Sequence, residues 1–331
     1  MDDADPLATT APEGLAFSMR GFDDGERAER LAHLIGAVVR ELGRHMDLSR
    51  LDGVTVAFDY DEALAELDRG IATTRPLLRT SDEHLSGVAM APAVLRDGLV
   101  KAHVVLWAPA VLPLEADRSD AFDAALYLVA HECGHVADLK MRDENFPGTI
   151  LQKTLLGVEE AILGPIAEAL WEEYAASRAS APFGRGQTAY YEEGFVLVLG
   201  SARERADAAI GAYRLHEDVG RVLAEAGGPL AEPLRLGAYL FGHLDGLGEG
   251  LDSAPGARDL LASSPYRLFV QRTTDALRDL WERRGRWTSL ADLDPLRQVG
   301  REVLADGGLV LSRTPDGRCH VGVPFTPRTL P

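Results

Sequence analysis

Residues 124–143 read AALYLVAHECGHVADLKMRD, and this stretch constrains the fold more than any other. It is apolar enough to be a buried helix, yet its centre carries His131, Glu132 and His135. Buried polar groups cost free energy unless they find partners, so a core helix gains nothing from them by itself. Positions 131 and 135 are one helical turn apart and leave the same face. Two imidazoles so placed can converge on one zinc ion at bond lengths of about 2 Å. Glu132 emerges about 100° further round the helix, where it can lean over a metal without ligating it. His-Glu-x-x-His on a helix is the pattern in which the histidines hold zinc and the glutamate is the general base. Leu126, Leu128, Val129 and Ala130 precede the motif, and Cys133, Gly134, Val136 and Ala137 fill and follow it. All are uncharged, as a buried metal helix requires. Gly134 lets another element approach closely, and a sheet is the expected one. The plainer reading is a core helix whose histidines are capped by neighbouring carbonyls.

A chain of 331 residues can bury a substantial core in one large or two modest domains. Its net charge of −18 argues against broad nucleic-acid binding, which needs a Lys/Arg-rich surface, and against docking on anionic lipid. Solubility accounts for it. Two cysteines, Cys133 and Cys319, make no disulfide framework, which fits a reducing compartment. The start lacks the basic and apolar regions of a secretory signal, and no apolar run of about 20 residues is present. The expectation is a cytoplasmic protein with no membrane partner.

Residues 1–23 are acidic with small residues and Pro, and read as a flexible tail. Leu31, Leu34, Ile35, Val38, Val39 and Leu42 share one helical face within 24–46. A strand is expected over 52–60, a short helix over 61–70, and strands over 87–92 and 99–109. The motif helix should span about 119–140, with Ser119 or Asp120 as N-cap. A second long helix is expected over 155–181, with an interruption near Gly164-Pro165. Residues 188–305 read as largely helical. Residues 307–325 read as a hairpin turning at Pro315-Asp316-Gly317. This order predicts an α+β fold: a small sheet packed on helices, then a helical subdomain. The boundaries follow as tail 1–23, core 24–181, and helical subdomain 182–331 ending in a short β-hairpin.

LVAHECGHVADL (128–139) resembles the active helix of zincin metallopeptidases. Strand, strand, motif helix and Glu-bearing helix in that order are similar to gluzincins, and more narrowly to the compact ImmA/IrrE-like metallopeptidases of bacterial and phage regulation. The resemblance covers about a dozen residues and one downstream segment. It implies a zincin-like fold, with a small mixed sheet on the motif helix, and zinc-dependent peptide hydrolysis. Two histidines are too few for zinc, so a third ligand is needed. Asp138 and Met141 stand where metzincins carry Gly and His, which excludes that branch; the later histidines are His216, His243 and His320. Glu173-Tyr174-Ala175-Ala176-Ser177-Arg178 resembles the Glu-x-x-Ala-(Asn/Asp)-Arg segment that supplies the third ligand in ImmA/IrrE-like enzymes. Glu172 precedes Ala175 by the same spacing, so both registers stay open, with Glu173 preferred. Ala176 would let this helix approach the motif helix. A solvated Glu-Glu pair is the plainer alternative.

Many gluzincins carry Asp four residues after the ligand Glu, where this chain has Ser177 or Ala176. Support for the ligands must then come from elsewhere, with Asp138 as one candidate. Cys133 reads as a small buried thiol. Strand 99–109 is the candidate cleft edge that would pair with an extended peptide, with His103 facing either cleft or solvent. Tyr190, Tyr191, His216 and Tyr239 are candidates to stabilise an oxyanion. The expectation is a zinc metallopeptidase in which His131, His135 and Glu173 hold Zn2+, Glu132 is the base, and a peptide or protein is the substrate. The rivals are a regulatory protease acting on one specific partner, and a non-catalytic zinc-stabilised interaction module.

Overall fold

A computed structural model describes residues 8–73, 76–79, 87–151 and 157–329. The chain divides into two units, residues 1–153 with 175–187, and residues 154–174 with 188–331. The division differs from a cut at 181/182 in giving residues 154–174 to the second unit.

The first unit holds β1 (Ala16–Arg20), α1 (Gly25–Leu42), β2 (Leu51–Ala57), α2 (Tyr60–Ala65), β3 (Ala89–Met90), β4 (Ala93–Arg96), β5 (Leu99–Trp107), α3 (Ala108–Val111) and α4 (Asp120–Asn145). The sheet order is β1-β2-β5-β3, with β4 also paired to β5. β1, β2 and β5 run parallel, while β3 and β4 run antiparallel to β5. The fold is α+β, mostly helical with a small mixed sheet. Val100, Ala102, Val104 and Leu106 alternate onto one face of β5, because successive strand side chains point to opposite faces. That face packs with Leu31, Ile35 and Val39 of α1 and Val129, Cys133 and Val136 of α4. The opposite face carries Val105, covered by Tyr60, Ala63 and Leu64 of α2.

Three expectations need correction. Residues 16–20 belong to the sheet as β1 and not to a flexible tail; residues 1–7 of that tail lie outside the described residues. Phe17 and Met19 turn toward the core. Just upstream, Thr10 anchors the chain by donating from its backbone N–H to Gly43 O at 2.8 Å. Strand 99–109 is β5, which has β2 on one side and β3 and β4 on the other, so it is interior and not a cleft edge. His103 accordingly faces neither cleft nor solvent. Its Nδ1 lies 3.1 Å from Asp52 Oδ2 and its Nε2 2.9 Å from Thr55 Oγ1. Burial lowers its pKa, outweighing the Asp52 carboxylate.

α5 (Val158–Ser180) is continuous through Pro165. The expected interruption is not there, because the proline ring lies on the exposed side while Leu163, Ala167, Leu170 and Trp171 bury the other. Residues 155–156 of the expected helix lie outside the described residues.

The second unit continues with α6 (Thr188–His216), α7 (Val219–Glu225), α8 (Gly227–Leu247), α9 (Pro255–Ser263), α10 (Arg267–Glu282) and α11 (Asp294–Asp306), then β6 (Val310–Arg313) and β7 (Cys319–Gly322). β6 and β7 are antiparallel, and Gly317 adopts φ +81° in the turn between them. Ala206, Ile210, Val222, Leu230 and Leu304 form its core with Leu163. Glu159 pairs with both Arg301 and Arg313, joining the start of α5 to α11 and β6. Among the described residues no helix is long and apolar enough to cross a membrane.

Candidate metal centre

α4 begins at Ser119, whose side chain accepts a hydrogen bond from Phe122 N. From there helical periodicity carries Ala125, Val129, Cys133 and Val136 into the core, and turns Tyr127, His131 and His135 to a neighbouring face. His131 is 7% exposed and Glu132 5%. The imidazole Nε2 atoms of His131 and His135 lie 3.1 Å apart. Two such nitrogens come this close when one N–H donates to the other's lone pair, or when both lone pairs meet one cation. Bonds of about 2.0–2.1 Å at a tetrahedral angle would set them about 3.3 Å apart.

The partner of α4 at Gly134 is α5 and not the sheet. A Cβ built on Gly134 would stand 2.9 Å from both Cα and O of Ala176. Glycine on one helix and alanine on the other thus set the two backbones close. Ser180 supports the same stretch of α5 by donating its hydroxyl to Ala176 O at 2.8 Å. One turn before Ala176 lies Glu173. Ligand atoms of His131, His135 and Glu173 all lie within 4.8 Å of one another. Glu172 is not in this cluster.

Two neighbours fix the roll of α5. Trp171 stacks edge-on against Trp287 at 4.6 Å, and Tyr174 donates to Asp245 Oδ2 at 2.7 Å, the carboxylate that Arg278 also grips through two bonds. On α8, Arg235 pairs with Glu232 at 2.9 Å. Burial works against its charge, and Tyr239, Glu173 and Glu232 more than offset it, so the guanidinium stays protonated beside Glu173.

The other sequence candidates have definite places. Asp138 is 1% exposed and accepts from Arg142 Nε at 2.8 Å, so it is a buried ion-paired acid and not a surface one. Ser177 is fully buried, and its Oγ has no hydrogen-bond partner among the described residues. Tyr190 is 59% exposed. His216 accepts from Asp218 N at 3.0 Å at the end of α6. Tyr191 packs its ring against Tyr239 at 5.4 Å and against the fully buried His243 at 5.5 Å. Burial, and behind it the Glu132 charge, push the Cys133 thiol up, so it is inert at neutral pH. Tyr60, which sequence patterning does not distinguish from any buried aromatic, is 1% exposed, and Glu132 acts on it as well.

Two imidazoles and a carboxylate make up three of the four ligands that tetrahedral zinc takes, which is the donor composition of many catalytic sites. No protein family matches the chain, and no characterised protein or solved structure is similar to it.

Proposed function

We propose that this chain is a zinc-dependent metallopeptidase. The observation that carries the reading is the convergence of His131, His135 and Glu173 within 4.8 Å, next to the buried carboxylate of Glu132. A purely structural site usually closes with a fourth protein ligand and has no use for a base. Zinc, when bound here, supplies a Lewis acid and raises the acidity of water. The chain's own residues do the rest. His131 and His135 donate from one face of α4, and Glu173 from α5. Glu132 accepts the proton as water attacks a peptide carbonyl, and returns it to the departing amine.

The strand that would pair with an extended peptide is β3. It lies beside α4, and among the described residues no strand pairs with its outer side. Backbone pairing of that kind tolerates varied sequences. Cleavage of generic peptides would therefore fit this reading, and cleavage of a single protein would favour the regulatory one.

The test is zinc per chain in protein purified without added metal, for wild type, Glu173→Ala, Glu172→Ala and Glu132→Gln. Stoichiometric zinc is expected in wild type, Glu172→Ala and Glu132→Gln, with loss in Glu173→Ala. Peptide hydrolysis should vanish in Glu132→Gln, falling by roughly a thousandfold or more. A wild type that takes up no zinc even when supplied would sink the reading.

A further inference from the structure

Glu173 projects from the side of a helix, so its aim depends on the roll of α5. A helix with its side chains is about 10–12 Å across, and a roll of about 10° carries an atom at that rim about 1 Å. Zinc–ligand distances hold within about 0.2 Å, so such a roll moves the carboxylate by several times the tolerance of the site. The approach of Gly134 to Ala176 sets the spacing of α4 and α5, but two residues this small grip no side chain. Something else must hold the roll.

Tyr174 is the next residue along the chain, and it is fully buried. Its ring lies 6.3 Å from that of Trp171 and 6.2 Å from that of Trp281. Its hydroxyl donates to Asp245 Oδ2 at 2.7 Å, a short bond to a charged acceptor and therefore a strong one. Asp245 is 11% exposed, and Arg278 of α10 engages both of its oxygens, Nε to Oδ2 at 2.9 Å and Nη2 to Oδ1 at 2.8 Å. The carboxylate stands in the last turn of α8, where the helix carbonyls disfavour negative charge, and no basic residue of that turn offsets it. Local helix chemistry thus does not explain Asp245. The tie it makes between α5 and α10 does.

We propose that Asp245 is a positioning residue for Glu173: through the Tyr174 hydroxyl it locks the roll of α5, and with it the carboxylate offered to the metal, while Arg278 holds Asp245 in place. The inference rests on the metal site of the reading above. No proton is transferred along the tie.

The test is zinc affinity of the full-length protein by competition with a chelator, with the melting temperature of the metal-free protein alongside. Tyr174→Phe keeps the ring and loses only the bond to Asp245. Asp245→Ala loses the same bond from the other side and leaves the half-exposed Arg278 to water. Each should weaken zinc binding about tenfold, and the two together no further than either alone, because all three variants lack the same tie. Asp245→Asn, whose amide oxygen still accepts from the phenol, should recover affinity to within about threefold of wild type. A tie that only stabilised the fold would lower the melting temperature and leave the affinity of the folded protein alone. Glu302→Gln is the control for that: it breaks the ion pair with Arg272 that joins α10 to α11, and should lower the melting temperature with zinc affinity unchanged. Affinity within about twofold of wild type in both Tyr174→Phe and Asp245→Ala overturns the proposal, as do losses that add in the double variant or an equal loss in Glu302→Gln. A wild type that takes up no zinc overturns the metal site and this inference with it, whereas a zinc-binding wild type matched by both variants overturns this inference alone.

Discussion

Single atoms decide the geometry at Gly134 and His103. Alanine at 134 would gain about 1 kcal/mol in helix propensity over glycine. The added Cβ would meet Ala176 Cα and O at 2.9 Å, and backbone atoms cannot rotate aside. Overpacking of that kind costs about 1–3 kcal/mol and pushes α5 away from α4. Gly134→Ala should therefore lose up to about 2 kcal/mol net in urea unfolding, and bind zinc more weakly than wild type. His103 gives a pH signature instead. Its folded pKa lies below its ordinary 6.5, chiefly through burial. The unfolded chain then binds the proton more readily, so His103 contributes stability above 6.5 that is lost as pH falls toward the folded value. Between neutral pH and about pH 5 the melting temperature of wild type should drop more steeply than that of His103→Gln. Equal slopes would show that Asp52 holds the imidazole's charge as well in the folded protein as water does in the unfolded one.

At the scale of elements, α5 carries an anomaly. Pro165 sits inside it with its ring exposed. Interior proline costs roughly 3 kcal/mol, partly offset by about 0.4–1 kcal/mol from its stiffening of the unfolded chain. Pro165→Ala should raise stability by about 2–2.6 kcal/mol with zinc content unchanged, read as a higher urea midpoint at constant slope. The helices were the legible part of this chain. α4 declared itself because 3.6-residue periodicity and the His131–His135 spacing agree with each other, and Ser119 is where a cap was expected. The hairpin at 310–322 was readable from Pro315-Asp316-Gly317 for the same reason: turn chemistry is local. What was not legible is what non-local pairing decides. Nothing in LVKAHVVLW says that β5 will have a strand on each side, and β1 is five residues long inside an acidic segment. The register of the third candidate ligand is a similar case. Glu172 and Glu173 both lie within a turn of Ala176, and only the packing of α5 places Glu173 in the cluster.

For the molecule as a whole, the two units have separate cores, one built on the sheet and the other on helices and a hairpin. Each unit also holds one of the two free thiols. Cys133 is 1% exposed and lies on α4 between the two histidines, whereas Cys319 is half-buried in β7. A thiol-reactive dye can reach Cys133 only when the motif helix loosens, so its labelling rate is a clock for opening of that helix. Cys319 serves as the internal control, and should react first. A cation bound to His131 and His135 would have to be released before α4 could loosen, so zinc should slow the Cys133 clock and leave that of Cys319 unchanged. Equal slowing of both would mean that zinc acts on the dye or on the whole fold. The cysteine in the middle of the motif, silent in any chemistry proposed for the site, thus gives the chain a built-in stopwatch for how often its candidate metal centre comes apart.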